Sequence, residues 1–103
     1  IGLKKIDSPE SIRKIDWGVC KGCIALTGDL YIPDNIEIIG QQAFDECSSL
    51  NETLYVGSNI TRIDWYAFSG CQFKEVIINS QKDKVITWGL SEWCKNKEIT
   101  WLK

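Results

Sequence analysis

The most constraining feature of this sequence is a unit of about 24 residues that recurs along the chain. Residues 59–71 read NITRIDWYAFSGC, residues 35–47 read NIEIIGQQAFDEC, and residues 11–23 read SIRKIDWGVCKGC. A step of 23 residues beyond the first of these stretches reaches Ile86, Trp88 and Cys94. Such a period is typical of repeat architectures, in which each unit buries its apolar residues only by stacking on its neighbours.

Each unit contains a short segment in which apolar and variable residues alternate, which indicates a strand with one buried face. The expected inward residues are Leu3 and Ile6, Leu30 and Ile32, Leu54 and Val56, Val76 and Ile78, and Ile99 and Trp101. A second extended run follows at residues 12–15, 36–39, 60–63 and 85–86. An Ala-Phe pair comes next in two units, at residues 43–44 and 67–68, with Val-Cys and Leu-Ser at this position in the others. A cysteine follows, and the spacing suits one helical or 3₁₀ turn.

These patterns predict an α/β, mostly β, solenoid with short parallel strands and short helical or 3₁₀ turns. About four and a half repeats of 22–24 residues fit the chain. We expect one domain over residues 1–103, with repeats at 3–26, 27–50, 51–73 and 74–96 and a partial one at 97–103. The chain has no initiator Met, and residues 1–15 do not form a signal peptide, so we expect a mature product or a fragment of a longer protein.

Composition and charge argue against several functional classes. Histidine is absent, which removes the commonest general base and transition-metal ligand. Twelve basic and 14 acidic residues give a net charge of −2 without a basic stripe, so nucleic acid is not an expected partner. No apolar run is long enough for membrane insertion. No phosphate-binding loop or nucleophile–base motif is present, so we expect neither an enzyme nor a cofactor.

Residues 26–50, LTGDLYIPDNIEIIGQQAFDECSSL, resemble the BspA-like leucine-rich repeats almost throughout. The resemblance covers essentially the whole chain and is strongest over residues 30–73. The sequence departs from the pattern at Ser8, at Cys20 in the Phe position, and at Leu90-Ser91 in the Ala-Phe position. The resemblance implies a right-handed leucine-rich repeat coil that binds partners through its concave sheet. It also implies a secreted or cell-surface microbial protein engaged in adhesion or host contact.

Five cysteines invite a chemical interpretation, because Cys20 and Cys23 form a C-x-x-C motif. A zinc site would need two further ligands, and neither a second motif nor a histidine supplies them. The favoured interpretation is a ladder of small buried side chains at Cys23, Cys47, Cys71 and Cys94, with Cys20 filling a Phe position. A Cys20–Cys23 or inter-coil disulfide is the alternative, although five cysteines cannot all pair within one chain.

Two sets of exposed residues are candidate binding surfaces. Trp17, Trp65 and Trp88 share one repeat position, interrupted by Gln41, where the resemblance implies exposure. Such rings stack on sugars or anchor protein partners, or else they lie flat and cover the neighbouring coils. Two further tryptophans, in the last coil, could shield the open end of the core: Trp93 and Trp101.

The outward face of the parallel sheet is the second candidate surface. One predicted column contains Asp7, Tyr31, Tyr55, Ile77 and Thr100, and the next contains Lys5, Asp29, Thr53, Glu75 and Glu98. The first column makes a plausible protein-binding strip, but β-prone residues also favour exposed strands for their own stability.

The sequence therefore favours a non-catalytic protein-binding or adhesion module, with a host or cell-surface protein as its partner. The residues expected to contact the partner are Tyr31, Tyr55, Ile77, Trp17, Trp65 and Trp88. A carbohydrate- or cell-wall-binding module that uses the tryptophans is one alternative, and a structural spacer is another. End-to-end self-association is a further expectation, because both terminal strands carry apolar inward residues without polar caps.

Overall fold

Eight short strands form two parallel sheets in the computed structural model, which describes residues 4–5 and 11–103. The larger sheet has the order β1-β3-β5-β7-β8. Its strands are β1 (Lys4–Lys5), β3 (Leu30–Ile32), β5 (Thr53–Val56), β7 (Glu75–Ile78) and β8 (Thr100–Trp101). Neighbours pair in parallel, one strand per repeat, as the sequence predicts.

The second extended run of each unit forms the smaller sheet. Its strands are β2 (Lys14–Ile15), β4 (Ile38–Ile39) and β6 (Arg62–Ile63), in the order β2-β4-β6. A single parallel bridge from Arg62 to Ile86 extends this pairing to the fourth unit. The predicted second run is therefore also confirmed as extended backbone.

The core consists of aligned side chains from successive units. Leu30, Leu54 and Val76 face one another across the larger sheet and are fully buried. In the turn segments Phe44 stacks on Phe68, with ring centroids 5.3 Å apart and an interplanar angle of 2°. Among the described residues, the strand positions predicted to point inward belong to one core cluster or, at Ile99 and Trp101, pack against it.

One predicted register is wrong. Lys5 lies opposite Tyr31 in the sheet, although the sequence pattern aligned Lys5 with Asp29 and placed Asp7 in the column of Tyr31. Lys5 and Tyr31 are 26 residues apart, whereas Lys14 and Ile38 are 24 apart, so the stretch from Lys5 to Lys14 is two residues longer than that from Tyr31 to Ile38. Four residues of the predicted first strand and its columns lie outside the described residues: Leu3, Ile6, Asp7 and Ser8.

The predicted helical or 3₁₀ turn after the second strand is present only in the last unit of the described chain. Three 3₁₀ helices occur there, at Lys82–Lys84, Trp88–Leu90 and Trp93–Lys95. The earlier units instead form reverse turns closed by hydrogen bonds such as those from Ala43 N to Gly40 O and from Cys47 N to Phe44 O. Left-handed residues at Gln42 (φ 57°) and Glu46 (φ 60°) prevent helix formation there.

These turns are themselves hydrogen-bonded between units, an arrangement that we call the turn ladder. Backbone N–H groups of residues 18, 20 and 22 donate to carbonyl oxygens of residues 41, 43 and 45 at 2.7–3.0 Å. Those of residues 42, 44 and 46 donate to residues 65, 67 and 69 at 2.6–3.2 Å. The turn ladder satisfies backbone groups that would otherwise be unpaired at the turns, and it was not predicted from the sequence.

Replacing Glu46 by glycine is expected to stabilise the protein by about 0.5–1 kcal/mol. A non-glycine residue in the left-handed region carries backbone strain of about 1–2 kcal/mol, which glycine relieves. Part of this gain is lost because glycine has greater conformational entropy in the unfolded chain. The equivalent positions in the flanking units are already glycines, Gly22 (φ 69°) and Gly70 (φ 83°). Thermal unfolding followed by circular dichroism measures the effect. Ser48→Gly, at an exposed position without positive φ, is the control and should lower the midpoint.

Candidate binding surfaces

The predicted strand column is assembled on the larger sheet. Tyr31, Tyr55 and Ile77 lie opposite one another in consecutive strands, and Thr100 continues the row. The rings of Tyr31 and Tyr55 are tilted by 49° with centroids 6.4 Å apart. Tyr55 is 36% exposed, while the other two are half-buried. We call Tyr31, Tyr55 and Ile77 the tyrosine strip.

The column beside the tyrosine strip carries acidic residues with two different environments. Asp29 accepts a hydrogen bond from the Thr53 backbone N–H at 2.8 Å, so its carboxylate links the second unit to the third. Glu75 lies opposite Thr53 and is exposed. A neighbouring ion pair joins Lys74 and Glu52 at 3.4 Å. The strip is therefore apolar at its centre and charged at its edge, which is how many protein interfaces are organised.

The tryptophan column is divided into two parts. Trp65 and Trp88 stack face to face, with centroids 5.2 Å apart and an interplanar angle of 5°, and each is 43% exposed. Trp17 is 64% exposed and is separated from that pair by the unit that carries Gln41. Trp65 and Trp88 therefore cover each other, whereas Trp17 presents most of its ring to solvent.

Cys23, Cys47 and Cys71 pack in or against the core at successive turns, and the thiols of two of them donate hydrogen bonds to the preceding unit. The Cys47 thiol donates to the Cys20 carbonyl at 3.0 Å, and the Cys71 thiol donates to the Phe44 carbonyl at 3.3 Å. Burial raises the pKa of Cys71 to about 12. Burial, followed by the neighbouring Cys23, raises the pKa of Cys20 to about 11. Both thiols are protonated at neutral pH, which makes them poor nucleophiles.

The predicted cysteine ladder ends before the last unit. Cys94 is exposed because it lies in the 3₁₀ helix Trp93–Lys95, where the backbone no longer follows the earlier turns. Cys20 is half-buried, so it fills the Phe position incompletely. The cysteines at positions 20, 23, 47, 71 and 94 are all free thiols. Among the described residues no cluster of three or more His, Cys, Asp or Glu side chains could hold a metal ion.

A comparison with protein families identifies the repeat. The model of the BspA type leucine-rich repeat region, in six copies, matches residues 1–99. The chain belongs to the BspA-type leucine-rich repeat family. This family is generally non-catalytic, commonly mediates protein binding or adhesion, and is typically found on the cell surface or secreted. Searches of curated proteins and of solved structures gave no match.

No helix in the described part of this BspA-type chain has the length and apolar character needed to span a membrane. Both residues expected at the open end of the core, Trp93 and Trp101, pack against it. Trp93 donates a hydrogen bond from Nε1 to the Phe73 carbonyl at 2.8 Å, and Trp101 is half-buried beside the core.

Sequence reasoning missed a groove of about 660 Å³ between residues 65–73 and the last unit. Its walls include Trp65, Trp88 and Trp93. The signal that could have located it is the departure at Leu90-Ser91, where the BspA-type pattern has Ala-Phe. Ser91 lines the groove at the sequence position that corresponds to Phe68 in the preceding unit.

Proposed function

We propose that this BspA-type repeat chain is a non-catalytic protein-binding module that contacts its partner through the tyrosine strip. The observation that carries the proposal is the sheet register, which aligns Tyr31, Tyr55 and Ile77 on three consecutive strands. Following its family, we propose a secreted or cell-surface location and a host or cell-surface protein as the partner.

The chemistry of the tyrosine strip supports a protein partner. Tyrosine contributes a large contact area with few rotatable bonds, and its hydroxyl group satisfies polar neighbours at an interface. The strands beneath the strip are paired on both sides, so the contact residues are held before binding and lose little entropy. Glu75 and the Glu52–Lys74 pair at the edge favour a partner with an apolar patch and a charged rim.

Trp17 supports a second candidate, a carbohydrate-binding surface, because its ring is largely exposed. Aromatic faces of this kind stack on sugar rings. Trp65 and Trp88 favour this function less, since each uses one face to cover the other. A glycan would have to bind at Trp17 or on the outer faces of that pair.

Replacing Tyr31 and Tyr55 together by alanine is expected to weaken partner binding at least about tenfold, because tyrosines that become buried at an interface are frequent hot spots. The measurement is the binding of fluorescently labelled chain to intact epithelial cells by flow cytometry. Tyr66→Ala removes the same side chain at an exposed position outside the strip and is the matched control. It should leave cell binding within about twofold of the parent.

Other outcomes of the same experiment would reject this proposal. Unchanged binding by the double variant, combined with loss in Trp17→Ala and competition by free glycans, would favour the carbohydrate function. If no variant changes binding and light scattering detects assemblies, a structural spacer that associates through its ends is the better explanation. Thermal unfolding of each variant identifies any loss that is caused by instability.

A further inference from the structure

The groove beside the last unit lies where the hydrogen bonds of the turn ladder end. Within residues 11–103, the backbone N–H groups of Gly18, Cys20 and Gly22, and likewise those of residues 42, 44 and 46, donate to the next unit. The equivalent groups of Tyr66, Phe68 and Gly70 have no acceptor in the described structure. All three of these residues line the groove.

Two carbonyls of the last unit accept hydrogen bonds within that unit and none from Tyr66, Phe68 or Gly70. The Trp88 carbonyl accepts from Ser91 N at 3.1 Å, and the Glu92 carbonyl accepts from Lys95 N at 3.2 Å. Both bonds belong to the 3₁₀ turns that replace the repeated turn in this unit. The Tyr66–Gly70 side of the groove therefore carries three unpaired N–H donors on alternate residues, comparable with the unpaired edge of a sheet.

The walls of the groove are held in place by contacts that leave its interior open. Phe73 covers Phe68 edge-on, with centroids 5.9 Å apart, and Trp93 is tied to the Phe73 carbonyl at 2.8 Å. Ser91 lines the groove and is exposed, at the position where the two preceding units stack Phe44 on Phe68. The volume of about 660 Å³ is that of a typical ligand site.

Of the three charged groups at the groove, only two form an ion pair. Lys95 pairs with Glu92 at 2.9 Å, and the Lys97 ammonium lies 5.8 Å from the centroid of the Trp93 ring. The donors lie on alternate residues of one backbone segment, which favours a row of acceptors over a single phosphate or carboxylate group. The acceptors that suit alternate N–H groups are the alternate carbonyls of a polypeptide, as residues 65, 67 and 69 supply to the preceding unit.

We propose that this groove binds a polypeptide segment whose alternate backbone carbonyls accept hydrogen bonds from Tyr66, Phe68 and Gly70. The aromatic walls at Trp88 and Trp93 accommodate its side chains. This site is on the turn side of the coil, separate from the tyrosine strip, and does not depend on it. The segment continues the turn ladder by one row, so its backbone supplies the hydrogen bonds while the aromatic walls select among its side chains.

A random dodecapeptide library displayed on phage, selected against the immobilised full chain, tests the proposal. Synthetic copies of enriched peptides are then added to the ¹⁵N-labelled chain. We expect shifts of the Tyr66, Phe68 and Gly70 amide signals and a slowing of their hydrogen exchange by at least about tenfold, because a new hydrogen bond protects each amide. In the free chain the amides of residues 42, 44 and 46 should exchange more slowly than these three.

Ser91→Trp is expected to fill the groove and weaken peptide binding at least about tenfold. Ser48→Trp adds the same side chain at an exposed position outside the groove and should bind within about twofold of the parent. Failure to enrich any peptide, shifts confined to other residues, or equal affinity in Ser91→Trp would overturn the proposal. The amide readout uses the unaltered chain, so it decides the question even if Ser91→Trp does not fold.

The experiment also separates this site from the proposed function. A Tyr31→Ala, Tyr55→Ala variant should lose partner binding and keep groove binding. Peptides that shift the signals of Tyr31 and Tyr55 would contradict the groove and support the tyrosine strip.

Discussion

Phe44→Ala is expected to lower the free energy of unfolding by about 3–5 kcal/mol, the range for deleting a buried aromatic ring. Phe44 is fully buried and stacks on Phe68, so the variant loses both apolar burial and a ring–ring contact. The total stability of a domain of this size is about 5–15 kcal/mol, so the variant removes a large share of it. Urea unfolding monitored by circular dichroism measures the change.

The same truncation on the exposed side of the next turn provides the control. Tyr66 is largely exposed, so Tyr66→Ala should change the free energy of unfolding by less than about 0.5 kcal/mol. A change in Phe44→Ala as small as that in Tyr66→Ala would contradict the stacked core. The comparison is informative because both substitutions remove one aromatic ring from neighbouring turns.

Gly89→Ala is expected to destabilise the protein by about 1–3 kcal/mol, the cost of overpacking a core. Gly89 is buried, and an added Cβ would contact the Asp64 carbonyl oxygen and lie 2.7 Å from Ile63 Cγ2. The Asp64 carbonyl is backbone and cannot move away without disturbing the third unit. For a chain of this size the expected loss corresponds to a midpoint lower by roughly 5–20 °C in thermal unfolding.

The position of Gly89 beside Trp88 adds a second readout. If the methyl group added by Gly89→Ala pushes the last unit outward, the Trp65–Trp88 stack separates and the near-ultraviolet circular dichroism changes. Ser91→Ala lies in the same unit at an exposed position and should leave both the spectrum and the midpoint nearly unchanged. An unaltered midpoint in Gly89→Ala would show that the last unit does not pack on Asp64 as described.

The tyrosine strip, the Trp65–Trp88 pair and the groove of this BspA-type chain could be predicted from the sequence to different degrees. Tyr31, Tyr55 and Ile77 could be aligned from the repeat spacing, because parallel strands at one position of a repeat lie side by side. The shared position of Trp65 and Trp88 was also readable, but their face-to-face stacking was not. The groove was missed because it arises from a deviation at Ser91 that a pattern of repeats treats as an irregular end.

The sequence by itself determined one strand per unit, a second extended run and the burial of Leu30, Phe44 and the residues at equivalent repeat positions. These follow from periodicity, since residues at one repeat position share one environment. Tertiary structure alone decided the left-handed turns at Gln42 and Glu46, the register of Lys5 and the opening of the turn ladder at Tyr66. Backbone hydrogen bonding between units depends on local φ and ψ angles, which glutamine, glutamate and tyrosine do not encode.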